Sequence, residues 1–112
     1  MDLTSSKEAR LQIITVQEQR IDAFVALAFK DRMREITSDT QETVLLDLNH
    51  VDFIDSSGLG AIVAAMKQLA PDRRLLLAGM TATVDKVFRL TRMDSVFGIY
   101  PTVEAALAEH GG

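Results

Sequence analysis

The spacing of apolar residues along the chain predicts short strands that alternate with helices. Residues 11–16 (LQIITV) are rich in β-branched side chains, a composition typical of a strand. Residues 44–48 and 74–78 are almost entirely apolar, which predicts two strands that are buried on both faces. Residues 96–100 predict a short final strand. The pattern therefore indicates a sheet whose central strands have both faces covered.

Between these strands, apolar residues recur every three or four positions, which is the period of an amphipathic helix. The first helix is expected to begin at Asp22, because its carboxylate can accept hydrogen bonds from first-turn amides, and to run to about Ile36. The second helix follows residues 55–58 and ends at Pro71. A third and a fourth helix follow the two remaining strands.

This order of elements predicts a single α/β domain with a central mixed, mainly parallel sheet of four or five strands and about four helices. A length of 112 residues fits one domain. Residues 10–110 are expected to form it. Residues 1–9 are polar, and we expect a flexible N-terminus or a short edge strand there.

Charge and composition narrow the possible functions. The net charge of −4, with acids and bases mixed along the chain, disfavours nucleic acid as a partner. The basic points at Arg73 and Arg74, and at Lys86, Arg89 and Arg92, are better explained as solvated surface than as a binding patch. No apolar stretch approaches the roughly 20 residues of a membrane helix, and no secretory signal is evident. We therefore expect a cytoplasmic protein with no membrane partner.

Cofactor chemistry also finds no support in the sequence. The chain has no cysteine, which removes disulfide, thiol and zinc-thiolate chemistry, and its two histidines are far apart in sequence. No motif predicts a metal ion or another cofactor.

The segment from Asp55 to Gly60 is the most informative for function. It places the hydroxyls of Ser56 and Ser57 between a strand and the start of a helix, at the sheet edge where α/β folds usually place their sites. We expect the first-turn amides of this helix to be unpaired, so that they and the helix dipole could hold an added phosphate. Gly58 and Gly60 are expected to keep side chains away from the two hydroxyls.

A simpler interpretation stays open, in which Ser56 or Ser57 only caps the helix and the glycines only fit a tight turn. An enzyme is not expected. A nucleophile elbow needs Gly two residues before the serine, where this chain has Ile54 or Asp55, and no Gly-Lys-Ser/Thr follows as a P-loop requires. Asp52 and Asp55 lack an evident third metal ligand, so we interpret them as turn residues.

Residues 46–60, with the sequence LDLNHVDFIDSSGLG, closely resemble the signature of STAS domains that act as anti-sigma factor antagonists in bacterial partner switching. The likeness extends from about Leu11 to Leu107 and includes Arg20, Ile21 and Asp22 at the first helix. The resemblance implies the STAS fold and a phosphoprotein that regulates transcription through signal transduction, without catalysis of its own.

The resemblance also implies a mechanism. In this family, a GHKL-type serine kinase that is also the anti-sigma factor phosphorylates the second serine of the Asp-Ser-Ser-Gly block, and a PP2C-type phosphatase reverses the modification. By position, the phosphorylated residue here is Ser57, and its modification releases the bound kinase. The resemblance implies a partner surface around that serine, formed by Asp22, Asp55, Ser56, Gly58, Leu59, Gly60, Gly79, Met80 and Thr81.

Two other functions remain open on the sequence. The chain could be a non-phosphorylated structural STAS subunit of a larger assembly, such as a lipid-transport complex or a stress-signalling scaffold. A small-molecule site at the sheet edge is the third hypothesis.

Overall fold

A computed structural model describes residues 1–110 and confirms the predicted α/β architecture. Seven strands and four α-helices are present in this range. In chain order they are β1 Leu3–Glu8, β2 Leu11–Val16, β3 Arg20–Ile21, α1 Ala26–Ile36, β4 Thr43–Asp47, β5 Phe53–Ile54, α2 Ser56–Leu69, β6 Leu75–Ala78, α3 Ala82–Leu90, β7 Gly98–Tyr100 and α4 Val103–His110.

Five of the strands form one mixed sheet in the order β1-β2-β4-β6-β7. Strands β2, β4, β6 and β7 are parallel, and β1 pairs antiparallel with β2 at the edge. The predicted central strand is indeed β4, which lies between β2 and β6. Because the four parallel strands end at the same edge of the sheet, the loops that follow them lie side by side at that edge.

The central strands are apolar throughout because helices cover both faces of the sheet. The strand register aligns Ile14, Leu46 and Leu77 in one row, and this row belongs to the core beneath α1, α2 and α3. The neighbouring row faces the other way and packs with Ala106 of α4. Since successive side chains of a strand point to opposite faces, a continuous apolar run is what this layered arrangement requires.

The start of the first helix differs from the prediction. Helix α1 begins at Ala26, four residues after Asp22, and Val25 occupies its N-cap position with no side-chain cap. Asp22 instead accepts a hydrogen bond from the amide of Phe24 at 3.1 Å and so stabilises a turn. The physical reason lies just before it, because Arg20–Ile21 pairs in parallel with Phe53–Ile54 as a separate two-stranded sheet.

Two of the basic residues identified in the sequence, Arg73 and Arg89, have partners inside the chain. The Arg73 guanidinium donates to the carbonyl oxygens of Thr37 and Thr40 at 2.9 and 2.8 Å, so it holds the loop that follows α1. Arg89 pairs with Asp85 one helical turn away at 2.7 Å, on the exposed side of α3. Within residues 1–110, no helix is long and apolar enough to cross a membrane, and no cluster of three potential metal ligands is present.

Candidate functional site

The start of α2 is built around the side chain of Asp55. This residue is the N-cap of the helix, and its Oδ1 atom accepts a hydrogen bond from the amide of Gly58 at 2.8 Å. Ser56 and Ser57 are therefore the first two residues of the helix and not its cap. The interpretation in which a serine serves only as the cap is wrong, because Asp55 already fills that position.

Both serine side chains lie at the surface. Ser56 and Ser57 are exposed, and among the residues that the structure describes neither hydroxyl has a hydrogen-bond partner within the protein. Gly60 is exposed as well, while Leu59 is half-buried and packs against the core. The Ser57 hydroxyl is thus accessible to another protein and has no evident task in stabilising the fold.

The Asp55 carboxylate joins two turns that are distant in sequence. Its Oδ2 atom accepts a hydrogen bond from the amide of Ala23 at 3.0 Å, while Oδ1 holds the Gly58 amide. The Gly58 amide is the main cause of a lowered pKa for Asp55, the amides of Ala23 and Ser57 lower it further, and partial burial opposes them. The carboxylate is therefore charged at neutral pH.

This arrangement corrects the expectation that all first-turn amides of α2 are unpaired. The Gly58 amide already has the Asp55 carboxylate as its acceptor, so a phosphate on Ser57 would have to compete with an existing negative charge for it. One first-turn amide of α2 is therefore already paired before any modification occurs.

Asp22 lies in the turn that Asp55 holds. It is half-buried, and its Oδ2 atom accepts from the Arg20 guanidinium at 3.3 Å. Because the next residue, Ala23, donates its amide to Asp55, the structure brings Asp22 into the neighbourhood of the Ser57 turn.

The two glycines of the serine segment have different roles. Gly58 is buried, and a Cβ atom placed on it would lie 1.9 Å from the carbonyl oxygen of Ile21. Because Gly58 has no side chain, α2 can pack against β3. The prediction that Gly58 clears space for the serine hydroxyls is therefore wrong. Since Gly58 is buried, it also offers a partner little surface. Gly60 has open space around it and is the glycine that keeps this face of α2 uncrowded.

The loop from Gly79 to Thr81 lies beside the segment that leads to Asp55. Thr81 caps α3 by accepting from the amide of Val84 at 3.4 Å, and its hydroxyl donates to the carbonyl oxygen of Val51 at 3.2 Å. Gly79 has a φ of 72°, a left-handed conformation that favours glycine, and Met80 is half-buried against the core. The loop is thereby attached to the strand-to-helix connection that contains the serines.

Sequence reasoning missed one part of this site, which is the turn at residues 22–25. Phe24 is 96% exposed and Leu27 is 66% exposed, although both are large and apolar. The signal was present in the sequence, because neither residue falls on the apolar stripe, with Phe29 and Met33, of the helix that the sequence predicted from Asp22. An apolar residue off the stripe of an amphipathic helix has no core position to fill.

The dual role of Asp55 leads to a prediction about stability and pH. At pH 7 we expect Asp55→Ala to lower the melting temperature by about 4–8 °C, as for a typical lost N-cap, and Asp55→Asn to lower it less, because the amide oxygen still accepts one hydrogen bond. Because folding lowers the pKa of the Asp55 carboxyl, its charge stabilises the fold at pH values above its ordinary pKa of 3.8. This contribution is lost as the pH falls through the folded-state pKa. Urea unfolding from pH 7 down to pH 3 should show the gap between wild type and Asp55→Asn closing as acid is added. A gap that is constant with pH would contradict this role.

Comparison with known proteins places these observations in a family. A model of the STAS domain matches residues 4–106, which is nearly the whole chain. The anti-sigma-B factor antagonist of Listeria monocytogenes is 29% identical over 80 residues, covering 70% of this chain and 70% of that protein.

Solved structures have the same fold. An anti-sigma factor antagonist (STAS) domain protein from Planctomyces limnophilus superposes with a TM-score of 0.81 at 26% identity, covering 97% of each chain. The Bacillus cell fate determinant SpoIIAA in its phosphorylated form superposes with a TM-score of 0.67 at 19% identity, covering 96% of this chain and 98% of that one. With its five-stranded mixed sheet, its Asp-Ser-Ser-Gly turn at the start of α2 and this family match, the chain belongs to the STAS domain family, among relatives that are named anti-sigma factor antagonists.

Proposed function

We propose that the chain is an anti-sigma factor antagonist that binds a serine kinase/anti-sigma factor while Ser57 is unmodified and is released when Ser57 is phosphorylated. The observation that best supports this is the position of Ser57, whose exposed hydroxyl lies in the first turn of a helix that Asp55 already caps. Modification of such a hydroxyl would leave the fold intact. The names of the relatives and the phosphorylated form of SpoIIAA agree with this role.

The charge arrangement supports a mechanism that acts on the surface and not on the fold. A phosphate would add about −1.5 to −2 charges to a turn whose cap is already a carboxylate. Because that carboxylate already holds the Gly58 amide, the phosphate would have to compete with it for this donor, and its charge stays at the surface. A partner that docks over the turn would have to desolvate this charge, which is unfavourable unless the partner supplies a matching cation.

The rest of the proposal follows from the same mechanism. A PP2C-type phosphatase restores the hydroxyl, and the chain works in the cytoplasm, where the kinase has ATP. The partner surface surrounds Ser57 and is formed by Asp22, Asp55, Ser56, Leu59, Gly60, Gly79, Met80 and Thr81.

The direct test is phosphorylation. Each purified GHKL-type kinase of the source genome is incubated with the chain and ATP, and the intact mass is measured. We expect one kinase to add a single phosphate to the wild type and to Ser56→Ala but none to Ser57→Ala. The pair of alanine variants is matched, because both serines are exposed and adjacent in the same helical turn.

The opposite outcome favours the alternative function. If no kinase of the panel modifies the wild type, the chain is better explained as a structural STAS subunit that holds a larger assembly together. If a kinase still adds a phosphate to Ser57→Ala, Ser57 is not the phosphorylated residue.

A further inference from the structure

An apolar surface adjoins the Ser57 turn and has no partner within the described residues. Phe24 exposes 96% of its surface, which is nearly the value of an isolated side chain, and Leu27 exposes 66% three residues further on. Single exposed apolar residues are common on soluble proteins. A phenyl ring that lies fully in water beside a proposed contact site, with a second large apolar side chain one turn away, calls for a specific explanation.

The turn that presents Phe24 is held in place by three hydrogen bonds. The amide of Val25 donates to the carbonyl oxygen of Asp22 at 3.1 Å, the amide of Phe24 donates to the Asp22 carboxylate at 3.1 Å, and the amide of Ala23 donates to Asp55 at 3.0 Å. The ring therefore projects from an ordered backbone. An aromatic side chain on an ordered turn loses little conformational entropy when it binds.

The surface around Phe24 is continuous with further apolar and cationic groups. Phe24 and Val25 line an open groove of about 400 Å³ whose other walls are polar or charged, formed by Gln17, Glu18, Gln19, Arg20 and Asp22. The Arg20 guanidinium lies 4.3 Å from the centre of the Phe53 ring, which is 38% exposed. Since Asp55 follows Phe53 by two residues and also binds the Ala23 amide, a single surface extends from Ser57 through Phe24 to Arg20 and Phe53.

We propose that Phe24, supported by Leu27, is the apolar anchor with which the chain docks onto the kinase/anti-sigma factor, inserting into an apolar pocket of that partner. This inference rests on the proposed function. In it, Phe24 supplies affinity for the partner, and Ser57 controls release. An aromatic anchor surrounded by polar and cationic groups is the usual composition of an interface centre.

A second copy of the chain fits this surface less well than the anti-sigma factor does. A standard interface buries about 800 Å² on each partner, which two exposed side chains cannot supply alone. The surface around Phe24 continues into the Ser57 turn, so a partner that contacts Ser57 can bury both regions at once. The same continuity places the anchor and the phosphorylated residue within one footprint.

The test measures binding of the cognate kinase, identified by its phosphorylation of the wild type, to purified variants by calorimetry. We expect Phe24→Ala to raise the dissociation constant at least about tenfold, and Phe24→Leu to retain most of the affinity because the pocket still receives an apolar group. Leu90→Ala is the matched control, since Leu90 is 74% exposed but ends α3 at the opposite end from Thr81. Melting curves of all variants should coincide with that of the wild type.

Each result separates this inference from the proposed function. If Phe24→Ala binds like the wild type while Ser57→Asp still fails to bind, the anchor is wrong and the proposed function stands. If the wild type binds no kinase of the panel, both are overturned. If sedimentation shows that Phe24→Ala disrupts a homodimer and leaves kinase binding unchanged, the surface is a contact between copies and the anchor assignment is overturned.

Discussion

Ser57→Asp is expected to raise the dissociation constant for the kinase/anti-sigma factor at least about tenfold, whereas Ser57→Ala should change it by about twofold or less. The reason is electrostatic. Two like charges 4 Å apart repel by about 4 kcal/mol at an effective dielectric constant of 20, and about 1.4 kcal/mol corresponds to a tenfold change in affinity. Even after relaxation of the interface, an added charge on the contact surface should dominate the effect of losing one hydroxyl. The enzymatically phosphorylated chain should bind more weakly still, because a phosphate has a larger charge than a carboxylate.

A charge placed elsewhere on the surface provides the control for this experiment. Ser38→Asp adds the same charge at an exposed serine that follows the far end of α1, and its binding should match that of the wild type. Circular dichroism should show that all three variants are folded, and Ser38→Asp should melt slightly lower because it loses the hydrogen bond from the Ser38 hydroxyl to the Glu35 carbonyl oxygen and puts a negative charge at the C-terminal end of α1. Equal affinities for Ser57→Asp and Ser38→Asp would show that the Ser57 turn lies outside the contact surface.

Gly58→Ala is expected to destabilise the chain strongly, although alanine is ordinarily the better helix former. A Cβ atom at this position would lie 1.9 Å from the carbonyl oxygen and 2.7 Å from the carbonyl carbon of Ile21, so the backbone of β3 or of α2 has to move. Overpacking of this kind typically costs about 1–3 kcal/mol, and each kcal/mol lowers the melting temperature of a domain of this size by about 4–8 °C. Urea and thermal unfolding would both show the loss.

Gly60→Ala is the matched control, because it makes the same chemical change two residues further along the same helix. Beyond the adjoining backbone of α2 itself, no atom lies within 4 Å of the Cβ position there, so the gain in helix propensity is unopposed and should stabilise the chain by about 0.5–1 kcal/mol. The two substitutions should therefore shift the melting temperature in opposite directions. A shift of the same sign in both variants would contradict the close approach of Gly58 to Ile21.

The parts of the fold that could be predicted from the sequence are those with a clear apolar period. Strands β2, β4 and β6 were evident because their side chains fill the two covered faces of the sheet. Helices α2 and α3 were predicted for the same reason, and Pro71 closely follows the end of α2. In each of these elements the apolar residues of the sequence pattern are the ones buried in the fold, so the pattern alone is sufficient to predict the element.

The parts that could not be predicted depend on contacts between distant segments. Strands β3 and β5 contain two residues each and exist only because they pair with one another, which no local pattern reveals. Because of this pairing, α1 begins at Ala26 and not at Asp22, where the sequence predicted its start. Strand β1 was predicted only as one of two alternatives, a short edge strand or a flexible N-terminus, since Leu3 is its only buried residue and its remaining side chains are exposed.

The candidate site shows the same division. Asp55, Ser56 and Ser57 could be located from their place between a strand and a helix. The role of Gly58 could not, because its neighbour Ile21 lies far away in the sequence. The link between Asp55 and Ala23, which spans 32 positions, was hidden for the same reason.

The pairing of β3 with β5 has a consequence for how recognition can be altered. Because the ladder and the Asp55 to Ala23 hydrogen bond connect the turn before α1 with the turn before α2, the two segments form one structural unit. Grafting residues 49–60 of a relative alone would set a foreign helix start against a native turn and leave Phe24 where it is. We therefore expect partner specificity to be transferred to this chain only when both segments are exchanged together.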